Sequence, residues 1–275
     1  MNHPELMKTA LAATAVFSAA GLYALRGRSN HPDIRSLKGW GYAHRGLHRE
    51  GVPENSMAAF RAALEKGYGI ELDIHLMKDG NLAVIHDASL KRTAGADVQI
   101  EDLTAEDLEN YRLEVTDEKI PLFRDVMALF EGKAPMIVEL KPVKGNHGVL
   151  AEAACEILKD YQGVYCMESF DPRCVRWLKQ NRPEIIRGQL TENFVANDRK
   201  LHPVIRFALT HNLLNFTTVP DFVAYKFADR RDSFTTALCR RVWGLLGVAW
   251  TIRTQEDYDR AVQEGWLPIF EGFEP

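Results

Sequence analysis

The chain has no C-x-x-C pair, and its four cysteines, Cys155, Cys166, Cys174 and Cys239, stand apart from one another and from any cluster of histidines. That excludes a disulfide framework and a cysteine-based zinc site, and leaves buried free thiols as the expectation. No block of lysine and arginine is long enough to follow a nucleic-acid backbone and the formal net charge is only −4, so no nucleic-acid partner is expected. After Pro32 there is no internal repeat and no low-complexity tract, so nothing points to an array of repeated units. Long uncharged apolar runs are equally scarce. The one that stands out is Thr9–Leu25, TALAATAVFSAAGLYAL, whose seventeen residues would span about 25 Å as a helix, just enough to cross a bilayer. Lys8 before it is offset by Glu5, whereas Arg26, Arg28, Arg35 and Lys38 follow it, so the positive-inside rule places what comes next on the cytoplasmic side. A cleaved secretory signal is the alternative, since Ser18-Ala19-Ala20 are small enough for a cleavage site, and it would make the protein secreted. Arginines directly after such a site oppose export, and the free thiols agree with the anchor. Residues 1–30 are therefore expected to be a membrane anchor and linker, and 31–275 one folded domain.

With 275 residues and 46% hydrophobic content, the chain has the usual length of a barrel of eight βα units. Short β-type runs alternate with helix-length amphipathic stretches, as parallel βα units require. The predicted strands are Gly41–His44, Ile70–His75, Met136–Lys141, Val164–Ser169, Ile185–Leu190, Leu213–Thr217, Val248–Ile252 and Leu267–Phe270, enough for a closed (β/α)8 TIM-type barrel preceded by the N-terminal hydrophobic helix. A further run, Leu82–His86, follows the Lys78-Asp79-Gly80-Asn81 turn too closely for a parallel neighbour, so it reads as the return of a hairpin. Residues 87–120 then form an excursion over the barrel mouth, with Thr104 capping a short helix, before a helix opens at Pro121–Phe130.

Ile70-Glu71-Leu72-Asp73-Ile74 places two carboxylates at i and i+2, on one face of an apolar strand. A parallel barrel strand is covered on both faces. At about 5 Å and an effective dielectric near 20, the repulsion between them is roughly 3 kcal/mol, so something positive must offset it. Met136-Ile137-Val138-Glu139-Leu140-Lys141 repeats the design, with Glu139 and Lys141 sharing a face. Three carboxylates suit a hard divalent cation, Mg2+ or Ca2+, rather than zinc. An ion-pair network with Lys141 and no metal is the competing explanation, and spacing alone does not separate the two. His44 and His86 shift the balance, since each closes a run aimed at the barrel mouth and together with Arg45 they add an acid, a base and a phosphate clamp.

His44-Arg45-Gly46, Pro53-Glu54-Asn55-Ser56, Ala59-Phe60, Glu71-x-Asp73, Asp79-Gly80, His86-Asp87 with Leu90 and Arg92-Thr93, and Glu139-x-Lys141 stand in the order found in glycerophosphodiester phosphodiesterases. With Ser169-Phe170 and Trp250-Thr251, the chain resembles that family over residues 40–254. The resemblance implies a (β/α)8 barrel that hydrolyses glycerophosphodiesters to glycerol phosphate and an alcohol with a bound divalent cation. Glu71, Asp73 and Glu139 would bind the metal, His44 and His86 would exchange roles as general acid and base, and Arg45 and Lys141 would hold the phosphate. Trp250 would cover the glycerol, with a core aromatic as its other reading. A phospholipase-type enzyme acting on membrane lysophospholipid is the rival activity, and a tethered binding protein without turnover the rival class. Pro53, Glu54 and Asn55 read as the approach to a helix capped by Ser56, His75 as a lining group, and His48 and His147 as loop residues. The ending Glu271-Gly272-Phe273-Glu274-Pro275 departs from the family's Thr-Asp-x-Pro type of turn. Glu271 is left either orienting Lys141 or Arg45, or solvated in a fraying terminus.

Overall fold

The computed structural model describes residues 20–275, so most of the hydrophobic helix expected over Thr9–Leu25 lies outside the described residues. Among the described residues no helix is long and apolar enough to cross a membrane. Nine strands among the described residues form one sheet: β1 (Tyr42–His44), β2 (Gly69–Leu76), β3 (Leu82–Val84), β4 (Met136–Leu140), β5 (Tyr165–Ser169), β6 (Arg187–Thr191), β7 (Phe222–Lys226), β8 (Leu246–Ile252) and β9 (Trp266–Phe270). All except β3 pair in parallel, and β1 bonds to both β9 and β2, which closes an eight-stranded barrel with helices outside. β3 is the hairpin return, antiparallel to Ile74–Leu76. Its turn depends on Gly80, at φ +84°, and on the Asp79 carboxylate, which accepts from the Asn81 and Ala105 amides.

The sequence misplaced one barrel strand. Leu213–Thr217 is not extended; Asn215–Thr218 is a helical turn, in which the Thr217 and Thr218 hydroxyls donate back to the Leu214 carbonyl at 2.7 and 3.5 Å. The sixth parallel strand is Phe222–Lys226 instead, whose first four residues are buried on both faces as a barrel strand demands. Smaller shifts occur elsewhere. β6 starts at Arg187 rather than Ile185, and the helix expected from Pro121 begins at Phe123 because the Pro121 carbonyl accepts from Val84 and extends the hairpin. Ser56 caps Met57–Glu65 by accepting from the Ala59 amide at 3.1 Å, as its sequence context predicts. Thr104 donates to the Asp107 carboxylate through both its amide and its hydroxyl, just ahead of the short turn Asp107–Asn110. Residues 87–120 pack Leu90, Ile100, Leu108, Leu113 and Ile120 over Met77 and Ile85 as a small core of their own.

Barrel contacts reach back before residue 31. The Arg28 guanidinium forks onto both oxygens of Asp221, a fully buried carboxylate that also accepts from the Arg187 amide, and the Leu25 carbonyl accepts from Asn215. Arg28→Ala is therefore expected to destabilise the barrel by about 2–3 kcal/mol, a drop of roughly 5–10 °C in Tm, because it removes a charged hydrogen-bond partner from a buried acid. Thermal unfolding followed by circular dichroism checks this. A boundary at residue 30 cuts into these contacts.

Candidate active site

Alternation along the strands sends every second side chain into the barrel. At the amino-terminal end these are Tyr42, Ile137, Cys166, Phe222, Leu246 and Leu267, an apolar plug. Two to four residues further along most of these strands the same face becomes charged. β1 ends in His44 and β2 carries Glu71, Asp73 and His75; β4 and the residue after it give Glu139 and Lys141, β5 gives Glu168, and β9 runs out into Glu271. Register sets their heights: His44 stands beside Glu71, while Asp73, Glu139 and Glu168 are neighbours across three successive strands.

Glu71, Asp73 and Glu139 are all buried and present one oxygen each within 4.8 Å of one another. Lys141 stands between two of them, its Nζ 3.2 Å from Asp73 and 2.8 Å from Glu139. Asn55 donates to Asp73 at 2.9 Å, and the Arg45 amide donates to Glu71 at 3.2 Å while the Arg45 guanidinium lies 3.4 Å from Asp73 and 2.9 Å from Glu54. Arg45 reaches this position at φ +55°, followed by Gly46 at φ +79°, where a Cβ would stand 2.9 Å from Ala59 and Phe60. Only glycine fits there.

The three acids are not equally compensated. Burial raises Asp73, but Lys141, His86, Arg45 and Asn55 outweigh it and hold the carboxyl well below the usual range. Glu71 is pushed well up, first by burial and then by the charges of Asp73 and Glu139. Glu139 is pushed up to about 7 by burial, despite its bond to Lys141. Burial, followed by the charge of Glu139, also raises Glu168, whose Oε2 has no hydrogen-bond partner. A cluster with this much uncompensated negative charge fits a bound divalent cation, and an all-oxygen donor set suits a hard one. Lys141 alone does not balance it, so the ion-pair explanation accounts for Asp73 and leaves Glu71 without a partner of full charge beyond Arg45.

Both histidines are backed by carboxylates. His44 turns Nε2 toward Glu71 at 3.8 Å and Nδ1 toward Glu271 at 3.4 Å, and His86 Nδ1 bonds Asp87 at 2.6 Å. Burial is the largest influence on each ring and lowers both from the ordinary value. Asp87 is held in turn by Arg92, Arg92 by Glu54, and Glu54 by Arg45, a chain of alternating charge that ends on Asp73. His75, buried on the same face as Asp73, bonds the His86 carbonyl through Nε2 at 3.1 Å and so fixes the hairpin end.

His44, Arg45, Glu71, His86, Glu139, Lys141 and Trp250 line one cavity of about 350 Å³, with Asp73 buried immediately behind Lys141. The cavity also holds Glu168, which sequence reasoning passed over, and Phe170, which the sequence offered as part of a strand-end motif and without a role in the site. The signal was available: both lie at even spacing from Cys166 on a strand already identified. Trp250 crosses Phe170 edge to face at 5.5 Å and donates Nε1 to the Ala224 carbonyl, so it is at once a wall of the cavity and a packed aromatic. Glu54 and Asn55 do more than lead into a helix, since each bonds a charged group of the site. Glu271 touches neither Lys141 nor Arg45 in the way expected; it meets His44, His48 and Arg253, the last at 2.6 Å.

Comparison with known proteins bears on the fold and the family. The model of the glycerophosphoryl diester phosphodiesterase family matches residues 44–270. A glycerophosphodiester phosphodiesterase of Caldanaerobacter subterraneus subsp. tengcongensis is 28% identical over 234 residues, covering 81% of this chain and 89% of that one. A lysophospholipase D of Rattus norvegicus is 35% identical over 133 residues, but that match spans 44% of this chain and 41% of the relative. Among solved structures, a phosphodiesterase of Oleispira antarctica in complex with the product sn-glycerol-3-phosphate superposes with a TM-score of 0.69 at 22% identity, covering 86% of this chain and 94% of that chain. A glycerophosphodiester phosphodiesterase of Thermotoga maritima gives a TM-score of 0.64 at 24% identity over 84% and 92% of the two chains. These two likenesses establish the barrel fold.

Proposed function

The chain belongs to the glycerophosphoryl diester phosphodiesterase family, and from that premise we propose that it hydrolyses glycerophosphodiesters to glycerol 3-phosphate and an alcohol, with His44 and His86 as its acid and base. The observation that carries the mechanism is that two carboxylate-backed histidines and a buried three-carboxylate cluster share one cavity. Glu71, Asp73 and Glu139 hold the divalent cation, Mg2+ or Ca2+, which when bound neutralises charge on the phosphate. Arg45 and Lys141 orient the phosphate oxygens, and Trp250 with Phe170 covers the glycerol. The bond from His86 Nδ1 to Asp87 leaves its Nε2 for proton transfer, and Glu271 on Nδ1 of His44 does the same for that ring. One histidine takes the proton of the attacking oxygen, that of water or of a glycerol hydroxyl, and the other delivers a proton to the departing alcohol oxygen; on the second route water then opens the cyclic phosphate to glycerol phosphate. Release of glycerol phosphate from glycerophosphocholine, with and without chelator, tests the reaction: none in Mg2+ or in Ca2+ would refute it.

A second reading, hydrolysis of lysophospholipids, is favoured by one observation. A larger cavity of about 890 Å³ shares Arg253 with the first and is lined in part by Leu47, Val52 and Phe273, apolar surface suited to a lipid chain. Turnover of lysophosphatidylcholine at a higher kcat/KM than glycerophosphocholine would favour it. We further propose that residues 1–30 anchor the enzyme with its barrel on the cytoplasmic side, export being the alternative; the basic residues after Leu25 and the four buried free cysteines support this. Protease protection in spheroplasts checks it.

Glu271 contributes through His44. Its carboxylate, 3.4 Å from Nδ1, raises the pKa of that ring against the larger lowering effect of burial. Glu271→Gln should lower kcat/KM by roughly tenfold, about 1.4 kcal/mol, and should move the pH-rate limb set by His44 to lower pH, because the neutral amide no longer favours the imidazolium. A limb that stays in place would reduce Glu271 to a structural residue.

A further inference from the structure

His48, which its sequence context presents as a loop residue, stands beside the reaction centre without entering its cavity. Its Nε2 lies 3.5 Å from Glu271 Oε1, and His44 Nδ1 lies 3.4 Å from Glu271 Oε2. One ligand atom from each of the three residues falls within 4.8 Å of the other two. Both ring nitrogens are buried and neither has a hydrogen-bond partner. Four ligands at zinc bond lengths of about 2.0–2.1 Å stand roughly 3.3–3.4 Å apart at the corners of a tetrahedron, and each imidazole nitrogen already stands at about that distance from one of the two carboxylate oxygens. The chemistry differs from that of the carboxylate cluster: two imidazoles and one carboxylate suit a zinc-type ion, whereas three carboxylates suit a hard one. The surroundings agree. Arg253 donates to Glu271 and fixes the carboxylate, the His48 amide donates to the Gly46 carbonyl and holds the loop, and the 890 Å³ cavity lined by His48 and Glu271 gives an entry path and room for a water as the fourth ligand.

We propose that His44, His48 and Glu271 form a second, inhibitory metal site that takes Zn2+. Binding at Nδ1 of His44 leaves the proton of the neutral ring on Nε2 and draws Glu271 onto the metal, so the ring can no longer accept a proton on its cavity side. The binding stands on geometry alone; the inhibition rests on the role proposed above for His44.

The two parts are tested separately. With Mg2+ saturating, competition against a chromophoric chelator should show one tightly bound equivalent of Zn2+ in the full chain, lost in His48→Gln. That variant, which leaves the carboxylate cluster untouched, should turn over normally in Mg2+ alone, and its half-inhibiting Zn2+ concentration should rise by about 10–100-fold or more. Equal zinc binding by the two proteins, or none by the wild type, would overturn the site. Zinc bound to the wild type without loss of turnover would overturn the inhibition. Should His48→Gln fail to fold, Co2+ added to the Mg2+-loaded wild type decides: the intense visible absorption of a four- or five-coordinate imidazole site is expected, and only the weak band of six-coordinate oxygen ligation would refute it.

Discussion

Glu71→Gln is expected to abolish turnover while leaving the metal-free barrel at least as stable as the wild type. The carboxylate is 2% exposed and faces Asp73 and Glu139 in the same buried space, so without a cation its ionised form is a burden on the fold. An amide of nearly equal size removes the repulsion but offers a cation only a weak neutral oxygen. Activity on glycerophosphocholine should fall by about three orders of magnitude or more, the loss of several kcal/mol of charge stabilisation, and exhaustive chelation of the wild type should match it. Full activity after chelation would refute the metal assignment. The stability half has a sign that pH reveals. Glu71 and Glu139 both have folded-state pKa values above their unfolded ones, about 7 for Glu139. Their contribution is therefore fully present below the unfolded value and is lost as pH rises through the folded one. In chelator, the wild type should gain stability from these two groups between pH 8 and pH 5, and Glu71→Gln should gain less. Urea unfolding at the two pH values measures the difference.

The second large effect belongs to the histidines. His44→Ala and His86→Ala should each lower kcat by about two to four orders of magnitude, and the double variant should be scarcely worse than the poorer single one. Two proton transfers to one phosphodiester are a joint operation: once either is missing, the other has little barrier left to lower. The structure supplies the reason to expect equality, since each ring has one nitrogen beside a carboxylate and lines the same cavity. Single-turnover kinetics on all three variants test this, and additive losses would mean that the two rings act in separate steps. His147, at the start of an outer helix, is a control that should lose nothing.

Most of the site could be read from strands whose inward residues alternate, because Glu71-x-Asp73 and Glu139-x-Lys141 announce their shared face in the spacing itself. Glu168 obeys the same rule but stands alone on its strand, without a second charge two residues away, so its even spacing from Cys166 was the whole of its signal. His48 and Glu271 were beyond local reasoning altogether. They are 223 positions apart and meet because β1 and β9 close the barrel side by side. The failed strand at Leu213–Thr217 has a different cause: phenylalanine and threonine favour extended chain, but threonine hydroxyls bonding back to Leu214 tipped the segment into a turn, and the true strand was four apolar residues that also suit a helix.

The chain of charge from His86 through Asp87, Arg92, Glu54 and Arg45 to Asp73 joins the excursion over residues 87–120 to the loop after β1. For protein engineering this makes the excursion a poor cassette. Exchanging it for a segment that lacks an arginine at position 92 would leave Glu54 behind, and the orphaned acid would compete with Asp73 for Arg45. A chimera that alters substrate range by swapping this segment should therefore transplant Glu54 and the loop around it in the same operation, or lose its catalytic footing for reasons unrelated to the new substrate.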